Sequence, residues 1–142
     1  MLDTKKLITR IQSLRGNLGR VHAIVDANSD ATILNDWHRL GALKWYLLLA
    51  LEDAFSLCQQ VVASTGGAAP SSYAECFETL HQIGVIERSL SERLRAMARF
   101  RNLLLHRYWE VDDQRVLEMA RNDLNDLQLL IGALDAYFRL GV

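Results

Sequence analysis

The stretch LGALKWYLLLALEDAFSLCQQVVAS, Leu40 to Ser64, decides the fold. It contains no proline, and it overlaps a longer segment, from about Ala31 to Ala63, whose apolar residues form a stripe wide enough for the interior of a bundle. Helical spacing over that length, with so few breakers, predicts one long helix. Its longest uninterrupted apolar run, Trp45 to Leu51, is far too short to span a bilayer. The helix therefore belongs to a protein core, and its neighbours should be helices too.

The flanking sequence agrees. On the N-terminal side, Leu7, Ile11, Leu14, Leu18, Val21 and Val25 step by three and four, which predicts a first helix from about Leu2 to Val25, weakened locally by Gly16 and Gly19. DANSD, Asp26 to Asp30, supplies turn residues and an N-cap for the long helix. On the C-terminal side, STGGAAPSS, Ser64 to Ser72, carries the single proline, Pro70, and is the one strongly punctuated loop. Ser72 with Glu75 resembles a capping box and opens a short helix ending near Gly84. Ser89 with Glu92 repeats the signature and opens a fourth helix that runs into RNLLLHRY, Arg101 to Tyr108. Asp112 is the expected N-cap of a last helix, along which Val116, Met119, Ala120, Leu124, Leu127, Leu130, Ile131 and Leu134 keep a helical period. Short connections make neighbouring helices antiparallel. The predicted fold is all-α, an up-and-down bundle of four main helices with one short extra, in a single domain over residues 1–142.

Composition narrows the function classes. Half of the 142 residues are apolar and 23% are charged, as in an ordinary globular domain, and a net charge of −1 gives no global bias toward nucleic acid. Cys58 and Cys76 stand apart from each other and from any histidine cluster, so neither a zinc site nor a disulfide is expected, and two unpaired thiols fit a reducing, intracellular setting. His22, His38 and His81 lack ligand spacing, so no metal site is expected. MLDTKKLITR has no apolar core of a secretory signal, and the chain is read as cytoplasmic, without a membrane partner.

Charge concentrates in the fourth helix. Between Glu87 and Tyr108 there are six arginines against two acids. On an ideal helix Arg88, Arg95, Arg99, Asn102 and His106 fall within about 40° of one line, a basic stripe suited to a phosphate backbone. With Arg107 these arginines are the candidate RNA-binding set. Charge alone does not decide the matter, since a solvated face, or pairing with Glu52, Asp53, Asp123 or Asp126, would give the same pattern. Arg101 is the odd residue. The wheel places it about 140° from His106, among Leu90, Leu94, Met97 and Leu104 with Tyr108 beside it. An arginine removed from water needs a partner. A dimer seam, a distorted helix end, or a side chain curling toward His106 would each supply a reason.

Arg101, four residues, His106, one residue, Tyr108 resembles the signature of the HEPN superfamily (higher eukaryotes and prokaryotes nucleotide-binding), in the tyrosine-bearing form of its HepT-like toxin branch. The likeness covers about three quarters of the chain: the long helix, the loop GGAAPSSYAECFETL, the segment HQIGVIERSLSERLRAMARFRNLLLHRYWEVD and the helix after it. The resemblance implies a helical homodimer whose signatures face a shared cleft and cut RNA without a metal or other cofactor. It also implies a minimal nucleotidyltransferase antitoxin that neutralises the toxin by attaching AMP to the signature tyrosine, here Tyr108. Arg101, Asn102, His106 and Tyr108 are the expected catalytic residues.

The residue types suit that chemistry. RNA carries its own nucleophile, the 2′-hydroxyl, beside the scissile phosphate, and a base such as His106 can deprotonate it. Arg101 can hold two phosphate oxygens and stabilise the charge of the transition state. Asn102 can orient the imidazole or phosphate, and Tyr108 can donate to an oxygen or stack on a base. DNA lacks the 2′-hydroxyl and is not an expected substrate. Two other readings use the same residues: a non-catalytic helical dimer that binds nucleotide or a partner nucleotidyltransferase, and a metal-dependent bundle enzyme.

Overall fold

The computed structural model describes all residues, 1 to 142, and is all-helical. Helix α1 spans Thr4–Ala27, with Asp3 capping it by accepting from the Lys6 amide. The short α2, Asp30–Leu34, is capped by Ser29, and α3 spans Trp37–Ser64. Helix α4, Tyr73–Gln82, and α5, Arg88–His106, follow, then a 3-10 turn at Tyr108–Glu110. The last limb comprises α6, Asp113–Glu118, a π-helical turn over Met119–Asp123, and α7, Asn125–Phe138. Counting that limb as one, α1, α3, α5 and α6–α7 are the four main helices of the bundle, and α4 is the short extra.

The core falls where the spacing placed it. All six apolar residues picked out on the first helix are buried, as are the eight from Val116 to Leu134 on the last limb. Helix α3 is the central element, packed along α1, α4 and α5. By length and composition it could cross a membrane, but half of its most apolar window lies inside the bundle, as expected of a core helix.

Four local expectations are corrected. The long second helix is two, because Asp36 turns its side chain back to accept from the His38 and Arg39 amides and so starts α3 afresh after α2. The Ser72 cap is real, accepting from the Glu75 amide, but Glu75 closes on Ser71 rather than Ser72. The Ser71 hydroxyl, then its amide, hold the Glu75 carboxyl below its ordinary range. Ser89 and Glu92 cap nothing: α5 begins at Arg88 after Glu87, whose side chain makes no capping bond. Finally, Cys58 and Cys76 are not separate thiols. Both are wholly buried, with Cα atoms 6.1 Å apart, and they are joined in a disulfide that ties α4 to α3.

Two polar knots fix the helices to one another. Asp53 is 4% exposed and accepts from Arg10 Nη1 at 3.1 Å, Ser13 Oγ at 2.8 Å and Asn17 Nδ2 at 2.9 Å, joining α3 to α1. Arg121, in the π turn, donates to the Val25 and Asn28 carbonyls and to Asp30, so a cation satisfies acceptors left open at the end of α1.

Candidate active site

Helix α5 presents its two faces to different surroundings. Leu90, Leu94, Met97 and Leu104 are buried in the bundle. On the opposite face Arg99, Asn102, Leu103, His106 and Arg107 line an open pocket of about 530 Å³, with Leu103 its one apolar side chain. Asn102 and His106 stand one turn apart on that face, as the wheel predicts. The helix stops at His106. The Arg107 amide still donates to Leu103 O at 2.8 Å, but its backbone leaves the helical region, and the chain winds into the 3-10 turn.

That exit redirects Tyr108, whose position is no longer set by the helix wheel. It is 68% exposed and borders a groove of about 240 Å³ with Gly41, Lys44, Trp45, Leu48 and Leu104. Trp45 and Trp109 are also exposed, so this end of the bundle carries a group of large aromatic surfaces.

Arg101 finds its partner within the chain. Its side chain is 12% exposed, its Nε is paired with Glu52 Oε1 on α3, and its guanidinium carbon lies 4.1 Å from the centre of the Tyr73 ring at the start of α4. Tyr73 stacks on Phe55 and donates its hydroxyl to Glu52 Oε2 at 3.0 Å. Burial, then the hydrogen bond to Glu52 and its negative charge, push the Tyr73 hydroxyl up to about 12, with Arg101 opposing. The leucine-lined face is therefore monomer core after all, and a dimer seam is not needed to explain a buried arginine there. The side chain bonds to its neighbour Asn102 rather than to His106: Nη1 donates to Asn102 Oδ1 at 3.0 Å. Arg101 thus reaches the residue that shares a pocket with His106, while it does not itself line that pocket.

Half of the candidate RNA-binding arginines, and Arg93 outside that set, are neutralised within the fold. Arg95 pairs with Glu78 at 3.1 Å, Arg93 with Asp126 at 2.9 Å, and Arg107 with Glu110 at 3.2 Å. Arg88 and Arg99 make no ion pair. Of the acids proposed as partners, Glu52 and Asp126 do pair with α5, whereas Asp53 faces α1 and Asp123 pairs with Arg115. No three His, Cys, Asp or Glu side chains converge as a metal site would require. Sequence reasoning missed Tyr73 altogether. A tyrosine opening an amphipathic helix gives no sign that it will meet an arginine 28 positions later.

A family model described as Ribonuclease HepT-like matches residues 14–134. A curated protein of Archaeoglobus fulgidus named "Putative RNase" is 35% identical over 71 residues, a match covering 50% of this chain and 53% of that protein, so the chain spans about half the length of this curated relative. The fold is similar to that of the tri-AMPylated HEPN toxin of Shewanella oneidensis, solved in complex with MNT antitoxin, at a TM-score of 0.85 and 20% identity over 96% of this chain and 99% of that one. It is also similar to YutE of Bacillus subtilis, a cytosolic protein of unknown function, at a TM-score of 0.83 and 14% identity over 99% of this chain and 94% of that one.

Proposed function

The chain belongs to the ribonuclease HepT-like family, and on that premise we propose that it is the toxin of a toxin–antitoxin pair, a metal-independent endoribonuclease acting in the cytosol. The observation that carries this reading is the linkage of Arg101 to Asn102, and of Asn102 to the pocket of His106, at the exposed end of α5. His106 takes the proton of the 2′-hydroxyl, and the 2′-oxygen forms a bond to the scissile phosphorus while the bond to the 5′-oxygen breaks. Arg101 stabilises the extra negative charge on the phosphate as that exchange proceeds. Asn102 holds the guanidinium, and Tyr108 donates to the departing 5′-oxygen or stacks on a neighbouring base. The products are a 2′,3′-cyclic phosphate and a 5′-hydroxyl. Arg88 and Arg99, free of acidic partners, with Arg95 and Arg107, guide the RNA backbone along α5.

Two copies form the working unit, with their signatures facing one cleft. A minimal nucleotidyltransferase serves as antitoxin: the Tyr108 hydroxyl attacks the α-phosphate of ATP, pyrophosphate leaves, and AMP remains on the tyrosine. The exposure of Tyr108 supports this assignment, since a transferase has to reach it. The added phosphate brings negative charge to the place an RNA phosphate would occupy.

Purified protein incubated with RNA in the presence of EDTA tests the reading. Wild-type protein should yield cyclic-phosphate ends, His106→Ala and Arg101→Ala should yield none while keeping fold and dimer, and DNA of the same sequence should stay intact. Intact mass after incubation with the nucleotidyltransferase and ATP should rise by AMP, and not in Tyr108→Phe. Equal inertness of wild type and His106→Ala, with nucleotide or transferase binding preserved, would instead establish the non-catalytic dimer.

A further inference from the structure

The groups that hold Arg101 lie outside the Arg-to-Tyr signature, on two other helices. Glu52 comes from α3, and it is one of two adjacent carboxylates that diverge: Asp53 turns inward to α1, Glu52 outward to α5. Tyr73 is the first residue of α4, fixed there by the Ser72 cap and, one turn on, by the Cys76–Cys58 link to α3. Its ring lies under the guanidinium and its hydroxyl grips the second oxygen of Glu52. One carboxylate oxygen therefore serves Arg101 and the other serves Tyr73, so neither is free to rotate without breaking a contact.

A guanidinium has five N–H donors in a rigid fork. Glu52 takes Nε–H, and Asn102 takes one N–H of Nη1. The remaining three N–H groups make no hydrogen bond within the fold and form the free edge of the fork. The Tyr73 ring closes one flat side, which prevents the fork from tilting. A long side chain that would otherwise sample many rotamers is thereby fixed before substrate arrives, and an oriented donor set stabilises a transition state without reorganising.

We propose that Glu52 and Tyr73 are positioning residues for Arg101, acting together as a clamp that orients its free N–H edge toward the scissile phosphate of RNA. This rests on the role given to Arg101 above. Neither residue touches RNA in this proposal; both act through the arginine.

Glu52→Gln and Tyr73→Phe test it, because each keeps the shape of the side chain while removing the charge or the hydroxyl. Single-turnover cleavage should slow by about tenfold or more in each, with KM changed by less than about twofold. Tyr73→Ala, which also removes the ring, should be slower than Tyr73→Phe. Thermal melts identify any variant that is simply unfolded. An independent readout is the Arg101 Nε–H resonance in ¹⁵N NMR, assigned by its loss in Arg101→Lys. In the wild type it should lie downfield and exchange slowly with water, and in Glu52→Gln it should move upfield and exchange faster. If Arg101→Ala is inactive while Glu52→Gln and Tyr73→Phe cleave at the wild-type rate, the clamp is refuted and the signature's role survives. If Arg101→Ala cleaves normally, the role of Arg101 falls and the clamp falls with it. An unchanged Nε–H resonance in Glu52→Gln would also overturn the proposal.

Discussion

Replacing Asp53 by alanine should separate stability from chemistry at a site one residue from Glu52. The carboxylate accepts three hydrogen bonds, but the three donors would not suffer equally from its loss. Arg10 is 44% exposed and Ser13 is exposed as well, so both can turn to water, each at the net cost of about 0.5–1 kcal/mol for a lost hydrogen bond. Asn17 is 6% exposed and stays put, its Oδ1 held by Arg20. Its orphaned Nδ2 costs about 1–3 kcal/mol. The sum is about 2–5 kcal/mol, which for a domain of this size lowers Tm by about 6–15 °C. Asp53→Asn keeps one acceptor and should lose roughly half as much. Urea denaturation followed by circular dichroism measures the difference, and RNA cleavage measured well below Tm should be unchanged, because Asp53 faces α1 and not α5. A loss below about 0.5 kcal/mol would show that the knot contributes nothing net, and a stable but inactive Asp53→Ala would show that the two carboxylates do not have separate roles.

Three further outcomes follow from the contacts. The Tyr73 hydroxyl is pushed up to about 12 from an ordinary value of 10.0, so in an absorbance titration at the tyrosinate band one tyrosine should ionise late, and that late step should be missing in Tyr73→Phe. Because the raised value means the folded state holds the proton more tightly, the corresponding stabilisation is complete below pH 10 and declines as pH rises toward 12, which alkaline melts can follow. Thiol titration of the unfolded, unreduced protein should detect no free cysteine. Reduction should lower stability by about 3 kcal/mol, the loop-closure value for cysteines 18 positions apart. Arg121→Ala frees the end of α1 from the π turn and should cost about 1–2 kcal/mol, read as faster amide exchange confined to the last turn of α1 and α2.

What the sequence made legible was local and periodic. The apolar positions of α1 and of the last limb were readable because burial on one face of a helix repeats every three or four residues, and every one of them is buried. The set Asn102 and His106 was readable for the same reason. The break at Asp36 was not, because an apolar stripe continues across it and only the side chain's bonds to the His38 and Arg39 amides stop the helix. Glu87 defeated the capping signature by opening α5 without a side-chain bond. The cysteine pair and the Glu52–Tyr73–Arg101 cluster are contacts between residues far apart in the chain, and neither leaves any period behind. Arg101 was legible only as an anomaly: the wheel showed that it needed a partner and could not say which helix would provide one.

The same partners change what the charge of α5 means. Six arginines against two acids look like a broad basic surface, yet four of them already face a carboxylate in the folded chain. For Arg93, Arg95 and Arg107 the pairs are at least partly solvated and weak, so an arriving phosphate could displace the acid at little cost. For Arg101 it could not, since Glu52 holds Nε–H in a mostly buried setting and Tyr73 holds Glu52. A phosphate there has to be met by the outer edge of the fork, with the Glu52 pair kept. That arrangement lowers the attraction of Arg101 for a resting phosphate, because its charge is already partly answered, and keeps its donors directed for the moment when a further negative charge develops. In the proposed mechanism binding and chemistry are thereby divided between the arginines of one helix: the exposed ones attract RNA, and the clamped one is reserved for the transition state.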